Sequence, residues 1–124
     1  MIIGIGTDIL KIQRIRDIQA GSNDPFFKKI FSEKEKEQAS LRPDPILYYA
    51  TRFAGKEAVF KSIGIDANDV RLNEIEILGM ETGQPQVTLY GNLKEIAAKK
   101  GITNFLISLS YENDYSVAFV IAQD

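Results

Sequence analysis

The sequence predicts an α+β fold in which an antiparallel sheet packs against one long helix. Three features indicate this fold. Residues from about 46 to 63 form a helix-length segment that ends at Gly64, a residue typical of helix C-caps. The second half of the chain alternates as strand, strand, helix, strand, strand. The last strand is apolar on both faces from Val117 to Ala122, so it needs a second layer supplied by helices or by another subunit.

The first half of the chain begins with an apolar, glycine-containing strand over residues 2–7. Asp8 stands where a helix could begin, because aspartate is a good N-cap. The apolar stripe of this predicted helix consists of Ile9, Ile12, Ile15 and Ile18. A Gly-Ser-Asn-Asp-Pro segment at 21–25 is expected to end it.

Two short helices are expected after that break. One covers about 26–30, and the other begins after Ser32, with Glu35 placed as its capping-box partner. Pro43 and Pro45 mark the boundary before the long helix.

The second half contains one further predicted helix and four predicted strands. The helix is capped by Asn92, runs through Ala98 and stops before Gly101. The predicted strands cover residues 74–78, 86–90, 104–111 and 115–122.

The composition limits the chemistry that the protein can perform. The length of 124 residues favours a single domain over 1–124, with 44% hydrophobic and 26% charged residues. The absence of cysteine excludes disulfides, thiolate catalysis and iron–sulfur clusters, and it fits a reducing compartment. The absence of histidine excludes Ser-His-Asp and Cys-His catalysis and imidazole–metal sites. An enzyme of this composition works with carboxylates, lysine or arginine, hydroxyls, backbone amides or a hard metal ion.

The charge distribution indicates the kind of partner. Residues 1–61 carry an excess of basic residues and residues 62–124 an excess of acidic ones. The basic half suits an acidic partner or a polyphosphate ligand, whereas a pI near 5.2 does not suit nucleic-acid binding. No apolar run approaches the roughly 20 residues that cross a bilayer, and the N-terminus lacks the features of a signal peptide. We therefore expect a cytoplasmic protein that binds neither nucleic acid nor membrane.

Phe53, Glu57 and Lys61 are four residues apart in the predicted long helix, so they share one face. The Glu57–Lys61 spacing by itself also fits an ordinary surface ion pair. Two features favour a functional site instead. Gly55 costs about 1 kcal/mol in mid-helix unless another group must come close, and three cations surround a single carboxylate, which suits phosphates with a metal. These cations are Arg52, Lys56 and Lys61.

Asp8 is the second candidate. The role of N-cap would by itself account for an aspartate there. A carboxylate at the end of a glycine-rich strand is also a good ligand for a hard metal, because Gly4 and Gly6 let other backbone come near. Since Mg²⁺ typically takes one or two protein carboxylates and completes its shell with water and phosphate oxygens, Asp8 and Glu57 would satisfy it.

Four segments of the chain stand out together. They are Gly4-x-Gly6-Thr7-Asp8-Ile9, Arg52-Phe53-Ala54-x-Lys56-Glu57-Ala58-x-x-Lys61-x-x-Gly64, Gly83-x-Pro85 and Ser108-Leu109-Ser110. In this order and at these spacings they resemble the holo-acyl-carrier-protein synthases, which are short, single-lobed 4′-phosphopantetheinyl transferases. The resemblance covers nearly the whole chain.

The resemblance implies an enzyme that transfers the 4′-phosphopantetheine group of coenzyme A to a serine of apo-acyl carrier protein. Adenosine 3′,5′-bisphosphate is released, and the reaction supports fatty acid biosynthesis. The family's Mg²⁺ ligands correspond to Asp8 and Glu57. Glu57, or a water that it orients, is the candidate base, and Lys61 is expected to stabilise or protonate the departing phosphate. These three are the candidate catalytic residues.

The resemblance also implies the binding surfaces. The residues expected at the coenzyme A site are Arg52, Lys61, Gly64, Pro85, Ser110 and Tyr111. Arg14 matches a basic position on the family's first helix that docks the acidic carrier protein. The residues expected to assist it are Lys11, Arg16, Lys28 and Lys29. The family is usually a homotrimer with sites between subunits, which agrees with the doubly apolar last strand.

The chain departs from the family pattern at two places. It has Gly64-Ile65-Asp66-Ala67-Asn68-Asp69 where family members commonly have a glycine-rich run, and its acidic side chains would repel phosphate if they faced it. Tyr111 stands where the family commonly has histidine, so a mechanism that needs imidazole there cannot operate. We expect Tyr111 to contact the nucleotide end of coenzyme A, with packing on the hairpin as the alternative.

Two other kinds of function fit parts of the sequence. A regulatory module that binds a nucleotide or coenzyme A without reacting it would account for the basic helices and the turn at Pro85. It would not account for Asp8 and Glu57 together, and magnesium-dependent turnover distinguishes it from an enzyme. A structural interaction domain would leave Glu57 and Lys61 as a surface pair, and tight coenzyme A binding would eliminate it.

Overall fold

The computed structural model describes residues 1–20, 25–66 and 71–124. Its helices are α1 (Ile12–Ala20), α2 (Pro25–Ile30), α3 (Glu33–Ser40), α4 (Pro45–Ile63) and α5 (Gly91–Lys99). Its strands are β1 (Ile2–Lys11), β2 (Ile75–Gly79), β3 (Pro85–Leu89), β4 (Asn104–Tyr111) and β5 (Tyr115–Gln123). Residues 21–24 of the predicted helix break and residues 67–70 of the loop after α4 lie outside the described ranges. Within those ranges no helix is long and apolar enough to cross a membrane.

Helix α4 is the centre of the fold, and most of its side chains are buried. Asp44 caps its first turn by accepting a hydrogen bond from the Leu47 amide at 3.3 Å, and Pro45 occupies the first helical position. Gly64 ends the helix in a left-handed conformation, with φ of 75°. The predicted long helix and its C-cap are therefore confirmed.

The sheet that packs against α4 has three antiparallel strands in the order β1-β5-β4. The other two strands, β2 and β3, pair with each other as a separate antiparallel sheet. In the central strand β5, Ala118, Val120 and Ala122 face inward and are fully buried, whereas Val117 and Phe119 are 37% and 44% exposed. Among the described residues, the second layer expected from the sequence thus covers one face of β5 and not the other.

Strand β1 lies directly against α4 because two of its residues have no side chain. A Cβ atom on Gly6 would overlap the carbonyl oxygen of Ala58, and one on Gly4 would overlap the carbonyl oxygen of Ser62. Any larger residue would push the strand away from the helix. The expected close approach of backbone at these glycines is confirmed, and the backbone that approaches is that of α4.

The predicted helix start at Asp8 is wrong. Strand β1 continues past this residue because it pairs with β5, and Asp8 lies opposite Ala118 in that ladder. The strand's alternation turns Ile9 outward, where it is 65% exposed, so Ile9 does not belong to a helical stripe. Helix α1 begins at Ile12, and its buried positions are Ile12 and Ile15.

The two predicted side-chain caps have different outcomes. The capping box of α3 is confirmed, because the Glu35 amide donates to Ser32 Oγ at 3.1 Å and the Ser32 amide donates to Glu35 Oε1 at 2.9 Å. The cap predicted at Asn92 is wrong. The carboxylate of Glu74 instead accepts from the amides of Asn92 and Leu93 at 3.2 and 3.0 Å, so a distant residue satisfies the start of α5.

Candidate active site

Asp8, Glu57 and Lys61 come together where β1 meets α4, and we refer to these three residues as the carboxylate site. Asp8 follows the closely packed Gly6 by two residues, and its side chain is 17% exposed. Lys61 Nζ donates to Asp8 Oδ1 at 3.3 Å and to the carbonyl oxygen of Thr7 at 3.1 Å. Glu57 lies one helical turn before Lys61, close enough for Asp8 to influence its ionisation.

Burial raises the pKa of both carboxyl groups, and repulsion from Asp8 raises the pKa of Glu57 further. Burial is the main cause at Glu57, the negative charge of Asp8 adds to it, and Lys61 opposes it. Burial also raises the pKa of Asp8, against the hydrogen bond and charge of Lys61 and the charge of Arg14. Lys61 and Arg14 therefore offset the cost of the two partly buried carboxylates only in part, and a bound cation would stabilise both of them.

The donor set of the carboxylate site fits Mg²⁺. Among the residues that the structure describes, no three Asp, Glu, His or Cys side chains come together, so the site offers two carboxylates. Mg²⁺ accepts such a set because it keeps several waters and shares phosphate oxygens with its substrate. The repulsion between Asp8 and Glu57 favours a cation between them. Asp8 and Glu57 are thus the residues that would hold the metal.

Lys56 lies on a different face of α4, although the sequence suggested it as a third cation around Glu57. Its ammonium is fully buried, 2.8 Å from Glu35 Oε1 and 2.7 Å from the carbonyl oxygen of Ile30. Two further backbone carbonyls accept from it, those of Leu72 and Ile75. Since its donors are used inside the fold, the suggestion that Lys56 faces phosphates is wrong.

Gly55 serves packing and leaves no room for a ligand. A Cβ atom at this position would lie 2.7 Å from Ile77 Cδ1 and 3.3 Å from Leu109 Cδ2. The group whose close approach the sequence predicted is therefore the apolar core between α4, β2 and β4, and not a substrate.

A cavity of about 430 Å³ lies between the N-terminal half of α4 and the turn that joins β2 to β3, and we call it the α4 cavity. Three residues expected at the coenzyme A site line it, namely Arg52, Pro85 and Tyr111. The remaining expected residues, which do not line the described part of this cavity, are Lys61, Gly64 and Ser110. Ser110 is next to Tyr111 on β4, whereas the other two belong to the far end of α4. The expected residues thus form two groups on the chain.

The α4 cavity is basic and aromatic. The Arg52 guanidinium is buried and stacks 4.0 Å from the centre of the Tyr48 ring, and the Arg42 guanidinium lies 5.7 Å from the same ring. Burial lowers the pKa of Arg52, but arginine stays charged at neutral pH. The lining carboxylate of Asp44 is paired with Arg16 at 2.6 Å. Two guanidinium groups beside an aromatic ring suit a phosphorylated, planar ligand.

The basic residues expected at the carrier surface do not all have the same surroundings. All five are exposed, namely Lys11, Arg14, Arg16, Lys28 and Lys29. Arg16 differs, because its guanidinium forms a two-point pair with the Asp44 carboxylate at 2.6 and 3.2 Å. Arg14 is the one whose charge reaches Asp8, which places it near the carboxylate site.

Comparison with known proteins decides the family. The family model described as the 4′-phosphopantetheinyl transferase superfamily matches residues 4–120. A holo-[acyl-carrier-protein] synthase of Desulforudis audaxviator is 38% identical over 122 residues, which are 98% of this chain and 93% of that protein. The chain belongs to the 4′-phosphopantetheinyl transferase superfamily. The resemblance carried by the four sequence segments is thereby confirmed.

Solved structures of the superfamily confirm the predicted α+β fold. The holo-[acyl-carrier-protein] synthase of Neisseria meningitidis superimposes with a TM-score of 0.88 and 32% identity, and the match covers 100% of both chains. The holo-(acyl-carrier-protein) synthase of Bacillus anthracis, solved in complex with CoA (3′,5′-ADP), gives a TM-score of 0.79 and 27% identity over 98% of this chain and 96% of that chain. These are the proteins that this chain is similar to.

Sequence reasoning missed three residues near the two groups. Arg42 and Tyr48 line the α4 cavity, and the spacing of four residues between Tyr48 and Arg52 was a usable helical signal. Lys100 Nζ donates to the carbonyl oxygens of Ile63 and Gly64 at 2.9 and 3.0 Å. No local pattern could have placed Lys100 there, because α5 and the end of α4 meet only in the folded chain.

Proposed function

We propose that this protein transfers the 4′-phosphopantetheine group of coenzyme A to a serine of apo-acyl carrier protein, with release of adenosine 3′,5′-bisphosphate. Residues 1–124 act as one transferase domain, in the cytoplasm, in support of fatty acid biosynthesis. The observation that carries this proposal is the convergence of Asp8, Glu57 and Lys61, in a chain that matches holo-[acyl-carrier-protein] synthases over nearly its whole length.

The carboxylate site is suited to phosphoryl transfer. Asp8 and Glu57 would hold Mg²⁺, which when bound neutralises charge on the diphosphate of coenzyme A. Glu57, directly or through a water that it orients, accepts the proton of the attacking serine hydroxyl. No imidazole is needed for these steps.

Lys61 is placed to act on the leaving group. Its side chain is 53% exposed, and two of its donors are directed to Asp8 and to the Thr7 carbonyl oxygen. An ammonium group carries three donors, so one remains for a substrate phosphate. Lys61 therefore stabilises or protonates the phosphate that departs with the adenosine.

The α4 cavity takes the nucleotide end of coenzyme A. Arg52 supplies a buried positive charge, Pro85 an apolar wall, and Tyr111, which is 60% exposed at the end of β4, a ring face. Ser110 lies beside Tyr111, while Gly64 and Lys61 lie with the carboxylate site. A coenzyme A molecule reaches both groups when a neighbouring subunit brings its α4 cavity to the carboxylate site.

A homotrimer would bring the two groups together across subunits. The outer face of the β1-β5-β4 sheet is apolar and exposed, and its main contributors are Ile5, Ile9, Leu106, Val117 and Phe119. This is the face of β5 that no element of the described chain covers. Light scattering should give the mass of three copies, and Phe119→Lys should give smaller species without transferase activity. A fully active monomer would contradict the shared site.

The acidic carrier protein docks on the exposed basic residues around α1 and α2. Arg14 is central because its charge reaches Asp8, where the carrier serine must arrive. Arg14→Glu should raise the carrier KM sharply and leave the affinity for coenzyme A unchanged, and the wild-type carrier KM should rise with salt. An unchanged carrier KM at low salt would remove Arg14 from the interface.

The decisive experiment is intact-mass measurement of apo-carrier protein after incubation with this protein, coenzyme A and Mg²⁺. We expect a gain equal to one phosphopantetheine, no gain when EDTA is present, and no gain with Glu57→Gln. Absence of a gain with several carriers would contradict the proposed function. If calorimetry showed coenzyme A binding in that case, the protein would be a binding module.

A further inference from the structure

Gln38 on α3 is hydrogen-bonded on both atoms of its side-chain amide. Its Nε2 donates to the carbonyl oxygen of Gly79 at 3.0 Å, and its Oε1 accepts from the Gly79 amide at 2.9 Å. Gln38 thus pairs with the last residue of β2 as a strand neighbour would. In the β2–β3 ladder Gly79 lies opposite Pro85, which lines the α4 cavity. Gln38 therefore fixes the hairpin wall of the cavity.

The same Gln38 oxygen accepts a second hydrogen bond, from the Tyr48 hydroxyl at 2.9 Å. Tyr48 belongs to α4, is 4% exposed and supports the Arg52 guanidinium on its ring face. The Tyr48 hydroxyl bonds to Gln38, and the ring of Tyr48 stacks on the Arg52 guanidinium, whose charge also acts on the hydroxyl. Through Gln38, the helix wall and the hairpin wall of the cavity are joined.

Arg52 itself is held at three points. Its Nε donates to the Ile77 carbonyl oxygen at 3.4 Å and its Nη1 to Thr51 Oγ1 at 3.2 Å, while its plane stacks on Tyr48. Gly79 lies beside both the arginine and the glutamine, at ordinary van der Waals distance. A Cβ on Gly79 would lie 3.6 Å from Arg52 Nη2 and 3.7 Å from Gln38 Oε1. The glutamine, the tyrosine and the arginine are therefore packed around one point of the hairpin.

We propose that Tyr48 and Gln38 are positioning residues of the α4 cavity, and that their hydrogen bond sets the separation between Arg52 on the helix and Pro85 on the hairpin. Loss of the bond lets the two walls move independently, so the ligand must order them when it binds. The cost appears in ligand affinity and not in the chemical step, because the carboxylate site lies at the other half of α4. The inference rests on the proposed function for the identity of the ligand.

The test variant is Tyr48→Phe, which keeps the ring under Arg52 and removes only the hydroxyl. Loss of one neutral hydrogen bond corresponds to roughly 3- to 10-fold weaker binding, measured by calorimetry with adenosine 3′,5′-bisphosphate and with coenzyme A. The KM for coenzyme A should rise by the same factor, and kcat and the carrier KM should not change. Gln38→Ala should weaken binding as well, and adding Tyr48→Phe to it should weaken binding no further.

Tyr49→Phe is the matched control. Tyr49 is the next residue on α4, its ring packs on Phe27 and Phe31, and its hydroxyl has no hydrogen-bond partner among the described residues. We expect its coenzyme A affinity to equal that of the wild type. If Tyr48→Phe lowers the Tm but leaves both affinities unchanged, the hydrogen bond is only structural and the inference is overturned. If wild-type protein binds neither ligand, the proposed function fails instead.

Discussion

Lys56 and Glu57 are consecutive residues of α4, and the fold treats them in opposite ways. Lys56 is fully buried, and its ammonium is surrounded by the Glu35 carboxylate and three backbone carbonyls. Glu57 is half-buried and faces Asp8, a charge of the same sign, with Lys61 as the nearby cation. The Lys56 charge is bonded inside the chain, whereas the Glu57 charge lies beside a second carboxylate that raises its pKa.

This difference separates a structural charge from a functional one. Glu35 is itself fixed on both oxygens, by the Ser32 amide and the Ile77 amide at 2.9 Å each, so the buried pair with Lys56 forms a closed network. Burial lowers the pKa of Lys56 and the Glu35 charge opposes that shift. In the carboxylate site, Lys61 and Arg14 do not fully offset the burial that raises the pKa of both carboxyl groups, so a bound cation would stabilise the site. We infer from this contrast that Glu57, and not Lys56, is on the face of α4 that meets the ligand.

The largest effect is expected when one carboxylate of the carboxylate site is made neutral. Glu57→Gln and Asp8→Asn each remove one of the two proposed metal ligands, and the lost transition-state stabilisation of several kcal/mol should lower kcat by about 100-fold or more. The Tm should stay the same or rise, because repulsion between two carboxylates disappears. Turnover assays beside thermal unfolding check both effects. Near-normal turnover in either variant would mean that the metal site lies elsewhere.

Substitutions in the buried network of Lys56 and Glu35 should lower stability, whereas those in the carboxylate site should lower activity. Lys56→Met leaves the Glu35 carboxylate buried without its cation, so the free energy of unfolding should fall by about 3–5 kcal/mol. Denaturant unfolding measures this loss. The double variant Lys56→Met with Glu35→Gln removes both charges and should recover part of it. If the single variant loses activity at full stability, Lys56 belongs to the functional site and the contrast fails.

The parts of the fold that the sequence predicts correctly depend on neighbouring residues. The Gly64 C-cap, the capping box of Ser32 and Glu35, and the β4–β5 hairpin all follow from local signals. The start of α1 did not follow, because the isoleucine spacing from Ile9 onward also fits a helix. What extends β1 past Asp8 is pairing with β5, more than a hundred residues away.

The carboxylate site was predictable for a related reason. Glu57 and Lys61 share a helical face by their spacing, and Asp8 is a candidate metal ligand because it ends a glycine-rich strand. The separate role of Lys56 was not predictable, since only the folded chain brings Glu35 to it. The sequence also does not show that the residues expected at the coenzyme A site form two groups. Arg52 and Lys61 are on the same helix, but Arg52 lines the α4 cavity and Lys61 does not.

The next prediction tests whether the close packing of β1 on α4 holds Asp8 near Glu57. Gly6→Ala places a methyl group against the Ala58 carbonyl oxygen, which is rigid backbone, so we expect a loss of about 1–3 kcal/mol in unfolding free energy. Activity per folded molecule should also fall, because Asp8 moves away from Glu57. The control is Gly55→Ala, whose methyl meets only the ends of side chains. Gly55→Ala should keep its activity. If both variants lost the same activity, the close packing of β1 on α4 would not be what positions Asp8 for the reaction.

The smallest expected effect is at the end of α4, where Lys100 binds the carbonyl oxygens of Ile63 and Gly64. These carbonyls have no partner in the next turn, and a cation at a helix C-terminus is stabilising. Lys100→Met should therefore lower the free energy of unfolding by about 1 kcal/mol. Lys99→Met removes the same charge from an exposed neighbouring position and should change it by less than about 0.5 kcal/mol. If the two variants have the same free energy of unfolding, Gly64 is sufficient to end the helix, and the hydrogen bonds of Lys100 do not stabilise the fold.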